Sequence, residues 1–169
     1  MLKQDLNMLS FATSKTCPLF SLKGIKTMGK AIDIYDGDTF DIVVCVDSKL
    51  YHMKARMYGY DSPEMKPKLT EENRDTIKAN AILAKTRLWT LLTSEQTGMS
   101  DNHTIVFPVI CHTFDKYGRL LVSVFSPTTK FEDISKCELE NIDAWFDKTI
   151  NSQMVKEFHG VPYYGGTKE

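Results

Sequence analysis

The sequence predicts an α+β fold that is mainly β: a small closed barrel of five strands, with one long central helix and a short C-terminal helix. Three observations carry this prediction. Several short segments alternate apolar and polar residues with a period of two, which is typical of strands. One longer segment repeats apolar residues in steps of three and four, which is typical of an amphipathic helix. Turn residues separate these segments.

The first three barrel strands are predicted around two turn signals. The chain becomes strand-like from Phe20, and a clear strand over 31–35 leads into the turn Asp36-Gly37. The second strand is predicted over 39–46 and the third over 50–58. Period-two alternation assigns these side chains to the core: Phe40, Ile42, Val44 and Val46 of the second strand, and Met53, Ala55 and Met57 of the third.

The long helix is predicted over 71–93. Thr70 is a suitable N-cap residue, and two glutamates follow in the first turn, where the helix dipole favours acids. One apolar stripe would pack on the barrel: Ile77, Ala81, Ala84, Leu88 and Leu91. Two further strands are predicted over 105–111 and 120–125, and the short helix over 150–158.

Charge is unevenly distributed along a chain of 169 residues, a length that suits one domain. Residues 1–18 are predicted to form a flexible basic arm, and residues 1–30 carry five lysines against Asp5 alone. The domain would span 19–169 and contain an acidic insert at about 128–148. The net charge of −1 weighs against a protein that coats long stretches of nucleic acid.

Several classes of protein are disfavoured by composition. No apolar run approaches the ~20 residues of a membrane helix, and the start lacks the basic end of a signal peptide. No Cys-x-x-Cys pair occurs, so Cys45 and Cys111 are interpreted as buried thiols within strands. We therefore expect an unexported intracellular protein of the cytoplasm or nucleus, without membrane contact, and a monomer by default.

Four segments carry the candidate chemistry. They are Asp36-Gly37-Asp38-Thr39, Arg56 on the polar face of the third strand, Asp61-Ser62-Pro63-Glu64, and Asp115-Lys116-Tyr117-Gly118-Arg119. Each has an ordinary structural explanation, since such turns and surface arginines are common. Their combination is more informative than any one of them.

Together the segments contain what phosphodiester hydrolysis needs: oxygen ligands for a hard cation, a base for water, and cations for the phosphate. Asp38 and Asp61 are the candidate metal ligands, and Glu64 is the candidate base. Arg56 and Arg119 are the candidate phosphate clamps, because a guanidinium pairs bidentately with phosphate oxygens. No histidine lies in these segments, which disfavours a histidine-based nuclease or a zinc site.

The order of these motifs resembles the staphylococcal nuclease (thermonuclease) family over about residues 30–166. The resemblance implies an OB-fold barrel and a calcium-dependent nuclease. Such an enzyme hydrolyses phosphodiester bonds of DNA or RNA, or both, with little sequence specificity. It leaves 5′-hydroxyl and 3′-phosphate ends. The ending Val161–Lys168 is similar to family members from large DNA viruses and related microbes, and a viral origin would place the protein in an infected host cell.

The resemblance also implies residue roles. Ca²⁺ would be held by Asp38, Asp61 and the backbone carbonyl of Ser62, with Asp36 supporting these ligands. Glu64 would orient or deprotonate the attacking water. Arg56 and Arg119 would grip the phosphate and stabilise the transition state. Four residues are candidates for substrate contact, although simple packing is an equal explanation for the tyrosines: Lys116, Tyr117, Tyr163 and Tyr164.

Two features depart from the family pattern, and two alternatives stay open. The chain has no counterpart of a long third helix at its C-terminus, and the segment 128–148 is longer and more acidic than usual. The first alternative is a catalytically silent nuclease-like module that binds nucleic acid or serves as a scaffold. The second is a plain OB-fold binder of single strands. The retained acids and arginines favour the enzyme.

Overall fold

Five strands close into a barrel in the computed structural model, which describes residues 2–94 and 98–165. The barrel strands are β1 (Lys26–Ile34), β2 (Thr39–Val46), β3 (Lys49–Met57), β5 (Phe107–Phe114) and β6 (Leu120–Val124). Two short strands, β4 (Tyr60–Asp61) and β7 (Val161–Pro162), pair with each other in a separate two-stranded sheet.

The barrel is mixed. Its strand order is β1-β2-β3-β6-β5, and β5 closes the barrel by pairing with β1. The β3–β6 pair is parallel, with Arg56 opposite Leu121, and the other four pairs are antiparallel. This OB-like barrel confirms the predicted fold class.

The helices are α1 (Leu2–Ser10), α2 (Arg74–Leu92), α3 (Phe131–Ile134) and α4 (Ile150–Lys156), with 3-10 helices at Leu139–Ala144 and Phe146–Lys148. Helices α2, α3 and α4 pack on the outside of the barrel, whereas the described residues of α1 are exposed. Helices α2 and α4 are the predicted central and C-terminal helices. Helix α1 was not predicted and lies in the N-terminal arm. None of the described helices is long and apolar enough to cross a lipid bilayer.

Some element boundaries differ from those predicted. Strand β1 begins at Lys26 rather than at residue 31, because its first residues pair with β5 from Lys26 opposite Ile110. Helix α2 begins after Asn73, so Thr70 is not its N-cap, and the Asn73 side chain makes no capping hydrogen bond. Thr70 instead lies within an earlier turn, in which the Glu71 amide donates to the Lys68 carbonyl.

The core follows the predicted alternation, except that Val46 and Met53 are only partly buried. Phe40, Ile42 and Val44 of β2 and Ala55 and Met57 of β3 are buried. Helix α2 packs on the barrel with a buried face that consists of Ala81, Ala84, Leu88, Trp89 and Leu92. The predicted stripe is correct at its three middle positions, whereas Ile77 and Leu91 are only partly buried. The prediction of a buried Cys45 is wrong, because this residue lies on the outward face of β2, whereas Cys111 is buried as expected.

The acidic insert is folded onto the barrel. Its buried residues Ile134, Cys137 and Trp145 form a second apolar cluster with Ile110 and Phe125 of the barrel side. Lys26 of β1 donates to Glu138 at 2.5 Å, and the Trp145 indole N–H donates to the Glu138 carbonyl at 2.9 Å. The insert therefore keeps its acids outward and its apolar side chains against β5.

A buried asparagine fastens α4 to the barrel. Asn151 is 0% exposed, and its Oδ1 accepts from the Val124 amide at 2.8 Å. Its Nδ2 donates to the carbonyls of Tyr58 and Val122, each at 2.9 Å. One side chain thus satisfies backbone groups after β3 and within β6, which brings together the ends of these two strands.

We predict that Asn151→Ala lowers the free energy of unfolding by about 2–4 kcal/mol, because buried backbone groups lose their partners. Urea denaturation measures this change. Asn102→Ala, at an exposed turn, is the matched control and should change stability by less than about 0.5 kcal/mol. Equal stability of the two variants would contradict the anchoring role of Asn151.

Candidate active site

The turn between β1 and β2 is held rigidly from two sides. A Cβ on Gly37 would lie 2.6 Å from the Ala84 Cβ of α2, so only glycine permits this close approach. The Tyr60 hydroxyl donates to the Gly37 carbonyl at 2.6 Å, and the Asp38 amide donates to Asp36 Oδ1 at 3.1 Å. The turn therefore fixes the position of the Asp38 carboxylate.

Asp38 is a buried carboxylate, and both of its oxygens accept hydrogen bonds. It is 3% exposed, and its Oδ1 accepts from the Thr39 hydroxyl at 2.8 Å and from Arg56 Nη1 at 3.0 Å. Its Oδ2 accepts from the Ser62 amide at 2.9 Å. These charge-assisted bonds compensate for the loss of water around the carboxylate.

Arg56 joins the two predicted metal ligands. While its Nη1 donates to Asp38, its Nη2 donates to Asp61 Oδ1 at 2.5 Å and meets the Tyr60 carbonyl at 3.4 Å. Burial alone would lower the pKa of Arg56, but the charges of Asp38, Asp61 and Asp36 outweigh burial and raise it. Three carboxylates therefore act on one guanidinium, and two negative charges are left over.

Asp36 shows the effect of this excess charge. Burial, followed by repulsion from Asp38, raises the pKa of Asp36 to about 6. A hard cation near these carboxylates would relieve the repulsion, and carboxylate oxygens are the ligands that Ca²⁺ prefers. The chemistry of the donor set therefore fits the calcium ion that the resemblance implies.

Within residues 2–94 and 98–165, no group of three or more His, Cys, Asp and Glu side chains is arranged to hold a metal ion. The predicted ligand set of Asp38, Asp61 and the Ser62 carbonyl contains only two such side chains.

Arg119 is positioned by its own hairpin turn. Asp115 Oδ1 accepts from the amides of Tyr117 and Arg119, each at 2.9 Å, and its Oδ2 accepts from Arg119 Nε at 2.7 Å. Burial would raise the pKa of Asp115, but these donors and the nearby guanidinium lower it. Arg119 Nη1 also donates to the Thr39 hydroxyl at 3.3 Å, which links Arg119 through Thr39 to Asp38.

A cavity of about 720 Å³ opens in front of this network. Its wall includes most of the predicted site residues: Arg56, Asp61, Lys116, Tyr117, Arg119, Tyr163 and Tyr164. The volume lies within the usual range of small-molecule sites. Four predicted residues are not part of the wall: Asp36, Asp38, Ser62 and Glu64. Asp38 and Ser62 are buried behind it, and Glu64 is exposed on the loop after β4.

Two of the predicted tyrosines lie near the arginines, and the third, Tyr164, packs against the Tyr58 ring. The Tyr117 ring is 71% exposed, with Arg119 Cζ 5.4 Å and Lys116 Nζ 5.0 Å from its centroid. The Tyr163 ring lies 6.0 Å from Arg56 Cζ, and the Tyr163 amide donates to the Gly59 carbonyl at 3.0 Å. Strand β7 pairs with β4, so the C-terminal segment forms one side of the cavity.

The sequence did not predict the roles of several residues of the site. Thr39 and Asp115 lay within the quoted motifs, but their bonds to the two arginines were not predicted. The spacing of Asp115 and Arg119 by four residues was the available signal. Tyr60 supports Gly37, and Tyr58 stacks on His112 with ring centroids 4.2 Å apart. These contacts depend on tertiary structure and leave no local pattern.

Comparisons with known proteins add no identification: no protein-family profile matches the chain, and no curated protein matches its sequence. The resemblance to the staphylococcal nuclease family therefore stays a prediction. The fold and the site define an OB-like barrel protein with a buried arginine–carboxylate centre beside a tyrosine-lined cavity.

The charge crowding around Asp36 predicts a pH dependence of stability. The folded-state pKa of about 6 exceeds the usual 3.8, so the folded state binds more protons between these values. Stability contributed by this group is present at low pH and is lost as pH rises through about 6. Asp36→Asn keeps an acceptor oxygen for the Asp38 amide. It should therefore stabilise the metal-free protein at pH 8 by about 1–2 kcal/mol, after allowance for solvent screening.

Urea denaturation with a chelator at pH 4 and pH 8 measures this effect. At pH 4 the stabilisation by Asp36→Asn should nearly vanish. Asp101→Asn, at an exposed turn, should show the same small difference at both pH values. A loss of stability in Asp36→Asn at pH 8 would contradict the crowding of Asp36 and Asp38.

Proposed function

We propose that this chain is a calcium-dependent nuclease that hydrolyses phosphodiester bonds of DNA or RNA, or both, with little sequence specificity. Its products would carry 5′-hydroxyl and 3′-phosphate ends. The observation that carries the proposal is the approach of Arg56 and Arg119 to one cavity beside Asp61 and exposed tyrosine rings. Guanidinium groups suit phosphate oxygens, and aromatic rings suit nucleobases.

The two arginines would hold the phosphate. Arg56 donates through Nη1 to Asp38 and through Nη2 to Asp61, and Nη2 also lies near the Tyr60 carbonyl. A guanidinium has five N–H donors, so part of the group remains for a phosphate oxygen. Arg119 is held by Asp115 through its Nε and donates to the Thr39 hydroxyl through Nη1, so the other hydrogens of its guanidinium remain for a phosphate oxygen. Such preorganised donors stabilise charge that develops in the transition state without reorganisation during the reaction.

Asp38, Asp61 and the Ser62 carbonyl would hold the calcium ion, supported by Asp36. When bound, the ion acts as a Lewis acid on the phosphate and lowers the pKa of a bound water. Because Asp38 is fixed by Thr39 and Ser62, it remains in place if Arg56 shifts part of its donation to the phosphate. Asp61 lies on the same short strand as Tyr60 and faces the cavity.

Glu64 would accept the proton of the attacking water. It follows Ser62 by two residues, and the Ser62 amide is bonded to Asp38 at 2.9 Å. The loop that carries Glu64 is thus tethered to the metal ligands at its start. Base contacts would come from Tyr117, Tyr163 and Tyr164, with Lys116 near the backbone. Stacking on aromatic rings tolerates any base, which accounts for low sequence specificity.

The proposal is tested by incubating the purified protein with single-stranded DNA, duplex DNA and RNA, each with Ca²⁺, Mg²⁺ or a chelator. We expect cleavage that requires Ca²⁺ and yields 3′-phosphate ends, identified by mass spectrometry of the fragments. Binding of nucleic acid by the folded protein without cleavage under any metal would instead support the catalytically silent module.

Two variants test the residue roles. Arg119→Ala and Glu64→Gln should each lower kcat by at least about 100-fold, in keeping with the loss of a transition-state contact or a general base. Matched controls are Arg74→Ala, at the exposed start of α2, and Glu132→Gln, on the exposed side of the insert. Wild-type kcat in Arg119→Ala or Glu64→Gln would show that the assigned role is wrong.

A further inference from the structure

A second groove of about 380 Å³ lies beside the Asp36-Gly37-Asp38 turn. The polar and aromatic groups of its wall are Asp33, Tyr35, Asp41, Lys54, Lys66 and Lys85. None of these side chains takes part in the cavity described above. The groove is therefore separate from the cavity, and nothing in the proposed chemistry uses it.

The residues of the groove lie close in sequence to residues of the active site or of its supporting helix. Tyr35 precedes Asp36, and Lys54 lies two residues before Arg56 on the same outward face of β3. Lys66 follows Glu64 by two residues. Lys85 follows Ala84, which packs against Gly37. The groove is thus an extension of the site across the turn.

The charges of the groove favour an anion. Lys54 pairs with Asp41 at 3.2 Å, and His52 also approaches Asp41 at 3.5 Å. Asp33 Oδ1 accepts from the Ile34 amide. Lys66 and Lys85 form no ion pair with any residue that the structure describes. Three ammonium groups face two carboxylates, so the groove is net positive.

We propose that this groove binds the backbone phosphates of the same nucleic-acid strand, beyond the linkage that is cleaved. This inference rests on the proposed nuclease function and narrows its substrate to a single strand of several nucleotides. Lys66 and Lys85 contact phosphates, and the Tyr35 ring, 58% exposed, stacks on a base. A single strand fits because its bases are free to turn onto the ring, whereas those of a duplex are paired and stacked.

The test compares binding of a fluorescent single-stranded 12-mer with hydrolysis of a dinucleotide. In K66A/K85A, affinity for the 12-mer, measured by anisotropy in chelator, should fall roughly tenfold at low salt. The slope of log affinity against log salt should become shallower by about 1.4, for two lost phosphate contacts. The kcat/KM of dinucleotide hydrolysis with Ca²⁺ should stay within about twofold of wild type, since the cavity is unchanged.

Matched variants separate this effect from general loss of positive charge. K49A/K136A removes two exposed lysines outside the groove and should leave the 12-mer affinity nearly unchanged. Tyr35→Ala should weaken 12-mer binding, and Tyr35→Phe should restore it, because stacking needs the ring and not the hydroxyl. An unlabelled duplex of equal length should compete at least about tenfold less well than the single strand.

Either of two outcomes would overturn the proposal that the groove binds phosphates. One is an unchanged 12-mer affinity in K66A/K85A, and the other is an equal loss of 12-mer affinity in K49A/K136A. Failure of the wild-type protein to bind the 12-mer would also overturn it. A failure of the nuclease proposal would give a different set of results. The wild-type protein would then bind the 12-mer, with the predicted response to K66A/K85A, but would cleave neither oligonucleotide with Ca²⁺.

Discussion

The bridge from the Arg56 guanidinium to Asp38 and Asp61 is the interaction on which the rest of the site depends. It joins β3 to the turn before β2 and to the short strand β4: Asp38 lies 18 residues before Arg56, and Asp61 lies five residues after it. Both carboxylates and the guanidinium are largely buried, so removing one partner would leave an uncompensated charge. Because β4 also pairs with β7, the position of Asp61 determines where the C-terminal tyrosines meet the cavity.

A single polar network therefore connects two arginines with the acids of the site. Arg119 reaches Asp38 through the Thr39 hydroxyl, and Asp115 holds Arg119 from the other side. The network is built at one end of the barrel, where the turn before β2, the end of β3 and the β5–β6 hairpin come together. The parallel β3–β6 pairing and the Asn151 anchor keep these ends adjacent. Two arginines at fixed positions beside excess negative charge suit joint binding of a phosphate and a cation.

Much of this architecture could be predicted from sequence, because periodicity records burial. The alternation in β2 and β3 and the apolar stripe of α2 identified the barrel and its central helix. The four polar motifs identified Arg56, Asp61 and Arg119, which meet at the cavity wall. Long-range contacts were not predictable. The hydroxyl of Tyr60 under Gly37 and the bonds of Asn151 join residues whose proximity only the fold creates. The start of α2 depended on local turns that composition does not specify. The exposure of Cys45, by contrast, follows from the alternation itself, since Val44 and Val46 on either side of it face inward.

The most direct test of the account is a crystal structure of the protein with Ca²⁺ and a dinucleotide whose phosphorothioate linkage resists hydrolysis. The account predicts that the linkage lies between Arg56 and Arg119, with Ca²⁺ on Asp38 and Asp61 and a base against Tyr117 or Tyr163. A dinucleotide bound away from both arginines, or Ca²⁺ bound away from Asp38 and Asp61, would contradict it.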